Sequence, residues 1–339
     1  MIIILAHLGI LVLLSVVLWQ SRKNYNQKRT ANLVLMFCLS AGIAGIFTGC
    51  SHEENLLPSK TESVSKINPV SAENSQSDVA QPDTKDVLLE IGETEQKGDW
   101  SQTFVYPSNI DDTFVIDICL PDTYDKNTTY PIVYLTDCYW RREDYAAIKS
   151  LYQSNETKEF ILVGIGYPDD YNFDLIRERD LINEPHRFLE MIINGVIPYV
   201  EGTYKIDEQD RTFCGASYGG FFMLYSLFQS DELTKDVFKN YILASPTLLI
   251  RTGGLSIPDY EEAYWQKTDT LKANVYLTVG EYEGNAEFQT PIQNFLTTVQ
   301  NRNYKDLHLT DKIYEGKDHY SVWVPSLLDG LNMYLAKES

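Results

Sequence analysis

From about residue 88 to the end of the chain, short apolar runs alternate with stretches in which apolar residues recur every three or four positions. Several of the short runs are almost entirely apolar, which is typical of strands covered on both faces of a sheet. They occupy residues 113–121, 130–137, 160–168, 211–217, 240–247, 274–281 and 307–316. The helical periodicity is found at residues 187–204, 219–229 and 320–338. Strands separated by helices predict an α/β fold, with a mostly parallel central sheet and helices on both faces.

Composition divides the chain into three parts. Residues 1–50 are mainly apolar and contain a basic patch. Residues 51–86 are rich in Ser, Glu, Asn, Gln and Pro and have no apolar periodicity, so they predict a disordered tether that cannot bury a core. Residues 87–339 carry the alternating pattern and are predicted to form one α/β domain.

The first fifty residues predict export. An apolar run at 2–19 is followed by the basic patch and by a second apolar run at 31–47. Residues 47–50, Phe-Thr-Gly-Cys, resemble a bacterial lipobox, in which Cys50 becomes the lipid-modified first residue. The first run is either a membrane segment or an over-extended start, because residues 20–50 form a complete signal without it. We therefore expect a protein of the bacterial cell envelope that faces outside the cytoplasm and is held by an N-terminal lipid or apolar anchor.

Net charge and cysteine spacing limit the kinds of partner and of metal or disulfide site that the chain is expected to have. The net charge of −20 opposes binding to phosphate backbones, so nucleic acid is not expected as a partner. An anionic substrate would need cations gathered locally. Cys119, Cys138 and Cys214 fall in or beside strand-like runs without a C-x-x-C spacing, which indicates neither a zinc site nor a disulfide framework. We interpret the three as small buried apolar residues.

A possible nucleophile stands in the segment "RTFCGASYGGFFMLYSLF". Residues 215–219 read Gly-Ala-Ser-Tyr-Gly, the G-x-S-x-G pattern of a nucleophile elbow, and Ser217 lies where a buried strand gives way to an apolar helix. Gly215 and Gly219 remove side chains that would collide across such a turn, and Gly220 lets the helix approach the sheet. The alternative is a glycine-rich turn between a strand and a helix with no catalytic role.

A serine nucleophile needs a base, and the base needs an orienting acid. His319 follows the last predicted strand and precedes the last helix, which makes it the predicted general base. For the acid, Glu283 lies three residues beyond Gly280 and is the first candidate. Glu281 is the second and Asp318 a weaker third, and a serine–histidine dyad without an acid remains open.

The oxyanion of an ester-cleavage intermediate needs two backbone N–H donors. One is predicted at Tyr218, directly after the nucleophile. The other is predicted after the strand at 130–137, at Cys138 or at Tyr139.

From about residue 100 to its end the chain resembles the esterase-D-like family of α/β-hydrolases. The resemblance is carried, in order, by "YPIVYLTD", "ILVGIGYP", "RERDL", "VIPYVEGTYKID", "RTFCGASYGG", "ILASPT", "VGEYE" and "DHYSVW". The enterobactin-type siderophore esterases are the most similar branch. The resemblance implies a serine hydrolase of carboxylic esters without a cofactor, with Ser217 as nucleophile and His319 as base. Two departures are Cys138, where the family often has glycine, and the aliphatic "SPTLLIR", where the siderophore branch often has an aromatic pair.

The substrate has to be inferred from residues near the predicted cleft. We expect the following side chains to rim it, and to bind siderophore trilactones or acylated carbohydrates: Tyr139, Trp140, Arg141, Arg177 and Arg179. The alternative is that Arg177 and Arg179 pair with Glu178 and Asp180 as structural ion pairs.

Three functions follow, in descending order of support. The first is an exported, lipid-anchored serine carboxylesterase that acts on a small-molecule ester. The second is a peptidase or acyltransferase with the same catalytic residues. The third is a non-catalytic ligand-binding lipoprotein that keeps the fold.

Overall fold

The computed structural model describes residues 87–153, 157–169 and 171–337. The predicted export signal, the lipobox at Cys50 and the tether lie outside these residues. Within the described ranges, no helix combines the length and the apolar character that a membrane crossing requires.

The strands of the described chain form one nine-stranded sheet in the order β1-β2-β3-β5-β4-β6-β7-β8-β9. Their bounds are β1 Leu89–Lys97, β2 Trp100–Pro107, β3 Phe114–Cys119, β4 Tyr130–Thr136, β5 Ile161–Gly166, β6 Ile206–Ala216, β7 Asn240–Ala244, β8 Thr270–Gly280 and β9 Lys305–Tyr314. The pairs β1–β2, β2–β3 and β3–β5 are antiparallel. The strands from β5 through β4 and β6 to β9 are all parallel. The mostly parallel central sheet is therefore confirmed.

Helices connect the parallel strands. Their bounds are α1 Cys138–Arg141, α2 Tyr145–Gln153, α3 Phe173–Glu178, α4 Pro185–Met191, α5 Ile197–Thr203, α6 Tyr218–Leu227, α7 Ile257–Lys267, α8 Thr290–Arg302 and α9 Trp323–Leu335. A 3₁₀ turn at Arg142–Asp144 and π-helical turns at Arg179–Asn183, Ile192–Val196 and Asn285–Gln289 adjoin them.

Apolar side chains leave the sheet on both of its faces, because successive residues of a strand point in opposite directions. On β4, Tyr134 belongs to one core, which the helices α4 to α8 cover. Its neighbours Val133 and Leu135 belong to the other core, which α2 and α9 cover. Strands buried on both faces explain why the central runs in the sequence are apolar without alternation.

All seven predicted strands are present, and β1 and β2 are additional. Both additional strands lie on the antiparallel side of the sheet, and β1 is largely exposed. The parallel arrangement has a direct consequence for function. The segments that follow β4, β6, β7, β8 and β9 all leave the same edge of the sheet, where open α/β sheets place their ligands.

Candidate active site

The turn between β6 and α6 holds Ser217 in a strained conformation. Its φ of 59° and ψ of −115° lie outside the regions that non-glycine residues ordinarily occupy. A Cβ atom at Gly215 would lie 2.7 Å from the backbone of Gly219, and a Cβ at Gly219 would lie 2.7 Å from Thr136 Oγ1. Only glycine fits either position, so the two glycines permit the tight turn that the sequence pattern predicts.

The segment after β7, residues 245–247, supports Ser217 from one side. The Ser217 backbone N–H donates to the Ala244 carbonyl at 2.9 Å, and the Thr247 N–H donates to the Ser217 carbonyl at 3.3 Å. The Ser217 hydroxyl lies 3.4 Å from the Thr247 hydroxyl. There is no hydrogen bond between Ser217 and His319, both of which are described; catalytic hydrogen bonds often tighten only when substrate is bound.

His319 and Glu283 form a close pair. Nδ1 of His319 lies 2.7 Å from Oε2 of Glu283, whose side chain is completely buried. A carboxylate accepts the Nδ1 proton and thereby leaves Nε2 with its lone pair free, as a general base requires. The ring of Phe288 packs against the imidazole, with 4.5 Å between ring centroids.

The structure distinguishes the three candidate acids by their contacts. Glu283 reaches His319 because the chain turns after β8, where the Glu283 N–H donates to the Gly280 carbonyl at 3.2 Å. Glu281 is exposed and accepts instead from the Gly316 N–H at 2.7 Å. The Asp318 carboxylate accepts hydrogen bonds from Ser321 and from the Tyr320 N–H, three and two residues ahead, and these lower its pKa.

The other carboxylate oxygen of Glu283 is also held. Oε1 accepts from the Gly280 N–H at 2.7 Å and from the Ser245 hydroxyl. Ser245 is buried and has a φ of 48°, an unfavourable conformation for serine. The post-β7 segment therefore contacts the nucleophile through Thr247 and the acid through Ser245. The sequence contains a signal for this segment in the "SPT" that follows the strand, although the pattern alone predicts no role for it.

This bridge gives a first prediction. Ser245→Ala and Ser245→Gly both remove a hydroxyl donor to a carboxylate, and we expect each to lower kcat roughly 10- to 100-fold, with KM little changed. Glycine relieves the positive φ, so Ser245→Gly should be the more stable of the two by about 1 kcal/mol. Kinetics on p-nitrophenyl butyrate and thermal melts measure both effects. Full activity in Ser245→Gly would mean that the serine serves only the backbone turn.

The predicted oxyanion donors are both first residues of helices. Tyr218 begins α6 and Cys138 begins α1, and the first N–H groups of a helix have no acceptor within the helix. Burial raises the pKa of the Cys138 thiol well above its usual range, and nearby Asp117 adds to the effect. Because the Cys138 side chain is fully buried, its predicted role at the oxyanion falls to its backbone N–H.

A buried polar cluster, centred on Asp117, contacts the Cys138 side chain. Asp117 accepts from Arg142 Nε at 2.7 Å, from Gln102 at 3.1 Å and from the Tyr145 hydroxyl at 3.1 Å. Burial raises the pKa of Asp117, and the Arg142 guanidinium opposes the rise. A Cβ on Gly166 would lie 2.7 Å from Cys138 Sγ, so the side chain that replaces the family's glycine is accommodated against a glycine of β5.

Arg177 connects the segment after β4 to the elbow. It donates two hydrogen bonds to Asp137, at 2.7 and 2.8 Å, and a third to the Ala216 carbonyl at 3.3 Å. Its guanidinium lies between the rings of Trp140 and Tyr218, 5.0 and 4.9 Å from their centroids. The alternative prediction of an ion pair between Arg177 and Glu178 is wrong. Arg177 pairs instead with Asp137, forty positions earlier in the sequence.

The remaining predicted substrate residues lie in the same region. Arg179 pairs with Asp180, as in the structural alternative, and with Asp112. Tyr139 and Trp140 pack on Phe173 with centroid distances of 4.9 and 4.3 Å, and Trp140 remains 43% exposed. Arg141 stacks on Trp323 at 4.3 Å. Across the described ranges, no group of three His, Cys, Asp or Glu side chains is placed to hold a metal ion.

A strained serine elbow and a paired histidine on the carboxyl edge of a parallel α/β sheet define the class of serine ester hydrolases with an α/β fold. Comparison with known proteins gives the family. Residues 108–334 match the model of the family described as "Putative esterase", and the chain belongs to this family.

Individual relatives are more distant. The chain is 29% identical over 151 residues to the apo-salmochelin esterase of Escherichia coli, a match covering 38% of this chain and 45% of that protein. It is 28% identical over 196 residues to the ferri-bacillibactin esterase BesA of Bacillus subtilis, covering 50% and 66%. The crystal structure of the BES protein from Bacillus cereus shares the fold, with a TM-score of 0.62 and 22% identity over 73% of this chain and 99% of that one. The two curated relatives are matched over less than two thirds of their lengths.

Proposed function

We propose that this ester hydrolase is a carboxylesterase with a Ser217–His319–Glu283 triad and that its substrates are siderophore-type esters, in particular trilactones. The observation that carries the triad is the 2.7 Å pair of His319 Nδ1 with a buried carboxylate that two further donors hold in place. The substrate class is supported by the names of the two curated relatives, both siderophore esterases.

The proposed reaction follows the two-step route of acyl transfer. His319 Nε2 takes the Ser217 proton while Oγ attacks the ester carbonyl carbon, and the carbonyl oxygen becomes an oxyanion held by the N–H groups of Tyr218 and Cys138. As the C–O bond breaks, His319 returns the proton to the leaving alkoxide. Water then attacks the acyl-enzyme with His319 as base, which releases the acid and regenerates the serine. Glu283 remains ionised and stabilises the imidazolium.

The same proposal includes export. The lipobox-like residues 47–50 and the tether that follows them support an esterase tethered to the cell envelope by lipid on Cys50. Such an enzyme would meet its ester outside the cytoplasm.

The test uses the full-length chain purified from membranes in detergent. We expect turnover of p-nitrophenyl butyrate, faster turnover of the ferric complex of a catechol trilactone than of a feruloylated sugar, and one fluorophosphonate adduct, on Ser217. The mass spectrum of the same sample reports whether Cys50 is the lipid-modified first residue. If the chain binds trilactone but neither turns over any ester nor reacts with the fluorophosphonate, the protein is a ligand-binding lipoprotein and the proposal fails.

A further inference from the structure

One arginine beside the candidate active site, unlike the three arginines near it, forms no ion pair with a described carboxylate. Arg142, Arg177 and Arg179 each form ion pairs with aspartates. Among the residues that the structure describes, Arg141 has no carboxylate within ion-pair distance, and its direct contact is the ring of Trp323. A guanidinium is always charged at physiological pH, so this cation lacks a protein anion of its own.

The contact of Arg141 with Trp323 leaves the guanidinium N–H donors without a hydrogen-bond acceptor among the described residues. The guanidinium carbon lies 4.3 Å from the Trp323 ring centroid, a cation–π contact that does not occupy the N–H donors with hydrogen bonds. None of its nitrogen atoms is among the fully buried, unpaired polar atoms of the described chain, and the residue as a whole is half-buried. Trp323 is itself fixed, because its indole N–H donates to Asp144 at 2.9 Å.

The position of Arg141 ties it to the catalytic residues. It is the last residue of α1, whose first residue, Cys138, is a predicted oxyanion donor. Trp323 opens α9 four residues after His319. Arg141 therefore spans the gap between the segment after β4 and the segment that carries the base.

Nearby acids do not neutralise Arg141. Burial lowers its pKa, while Asp137 and Asp144 act in the opposite direction. Asp137 is engaged by two hydrogen bonds from Arg177, and Asp144 accepts from Trp323. A partly buried, oriented guanidinium with free N–H donors matches two adjacent anionic oxygens, as in a carboxylate.

We propose that Arg141 is the anion-recognition residue of this site and that it binds a pair of adjacent anionic oxygens carried by the ester substrate, on the acyl or on the alcohol side of the scissile bond. This inference rests on the proposed esterase function. It narrows the substrate class to esters with a negative charge near the reacting carbonyl, although the protein's own net charge of −20 opposes such substrates at long range.

The test compares esters that differ only in charge, on the full-length enzyme. Mono-p-nitrophenyl glutarate and its glutaramate amide probe the acyl side, while 3-carboxy-4-nitrophenyl butyrate and 4-nitrophenyl butyrate probe the alcohol side. We expect wild-type kcat/KM to favour the charged member of one pair by roughly tenfold to a hundredfold. We expect Arg141→Gln to abolish that preference by lowering kcat/KM for the charged ester more than kcat/KM for its neutral partner.

Two controls separate this site from general charge effects and from failure of the fold. Arg187→Gln removes an arginine on α4 that pairs with Glu184 and should leave the preference intact. Inhibition of the wild-type enzyme by glutarate, compared with glutaramide, needs no variant, and the inference requires glutarate to bind more tightly. The inference is overturned if wild type hydrolyses neutral esters but shows no charge preference in either pair, or if Arg141→Gln slows charged and neutral esters equally. An enzyme that cleaves none of the four esters, does not hydrolyse a catechol trilactone and does not react with a fluorophosphonate would instead refute the proposed function.

Discussion

Ser217→Ala is expected to lower kcat on p-nitrophenyl butyrate by roughly a hundred-thousandfold or more, to the level of the residual oxyanion and binding effects. The loss is large because no other group can form the acyl-enzyme. Without the serine hydroxyl, His319 has no nucleophile to deprotonate, so the contributions of His319 and Glu283 are lost as well. Steady-state kinetics at saturating ester measure the effect, and fluorophosphonate labelling of the same samples should disappear with it.

The variant is expected to fold normally. Alanine has the same intolerance of a φ of 59° as serine, so the backbone strain at the elbow is unchanged. The hydroxyl's contact with Thr247 is long, at 3.4 Å, and contributes little. Ser150→Ala, on the exposed surface of α2, is the matched control and should keep full activity. Retention of more than a few per cent of activity in Ser217→Ala would assign the nucleophile elsewhere.

The strand pattern was predictable because the central strands are buried on both faces, which imposes apolar runs that few other structures require. β1 was not predicted, because "LEIGETEQK" is an exposed edge strand and its many polar residues do not form an apolar run. The elbow was also predictable, since a tight strand–turn–helix needs its glycines within five consecutive residues and the sequence displays them together.

Contacts between distant segments were not predictable from the same sequence. Arg177 has an acid next to it in sequence, Glu178, but pairs with Asp137 because β4 and β5, the strands that precede these two residues, are neighbours in the sheet. Ser245 adopts a positive φ without the glycine that usually signals one. Its hydrogen bond to Glu283 depends on the register of β7 against β8, which the local pattern does not contain.

The choice of catalytic acid shows the same limit and leads to the second large prediction. Glu281 and Glu283 are two residues apart after β8, so an extended strand would point both in one direction. The turn closed by the Glu283 N–H and the Gly280 carbonyl brings Glu283 to His319, while Glu281 meets Gly316 at the surface.

We expect Glu283→Gln to lower kcat by roughly ten-thousandfold and Glu281→Gln to stay within about twofold of wild type. A glutamine amide has the shape of the carboxylate but can donate to Nδ1, which favours the tautomer with the proton on Nε2. That tautomer cannot accept the serine proton, and the imidazolium also loses its counter-charge. Kinetics of both variants on p-nitrophenyl butyrate, with thermal melts to verify folding, make the comparison.

The magnitude decides between a triad and a dyad. A loss of less than about tenfold in Glu283→Gln would mean that His319 works without an acid and that the 2.7 Å contact only packs the loop. A loss in Glu281→Gln instead would place the acid at the surface. Glu283→Asp refines the result, because a carboxylate shortened by one methylene keeps its charge but must give up either His319 or the Gly280 and Ser245 donors. Partial activity in that variant, above Glu283→Gln, is expected if negative charge near the imidazole provides part of the effect and its fixed orientation provides the rest.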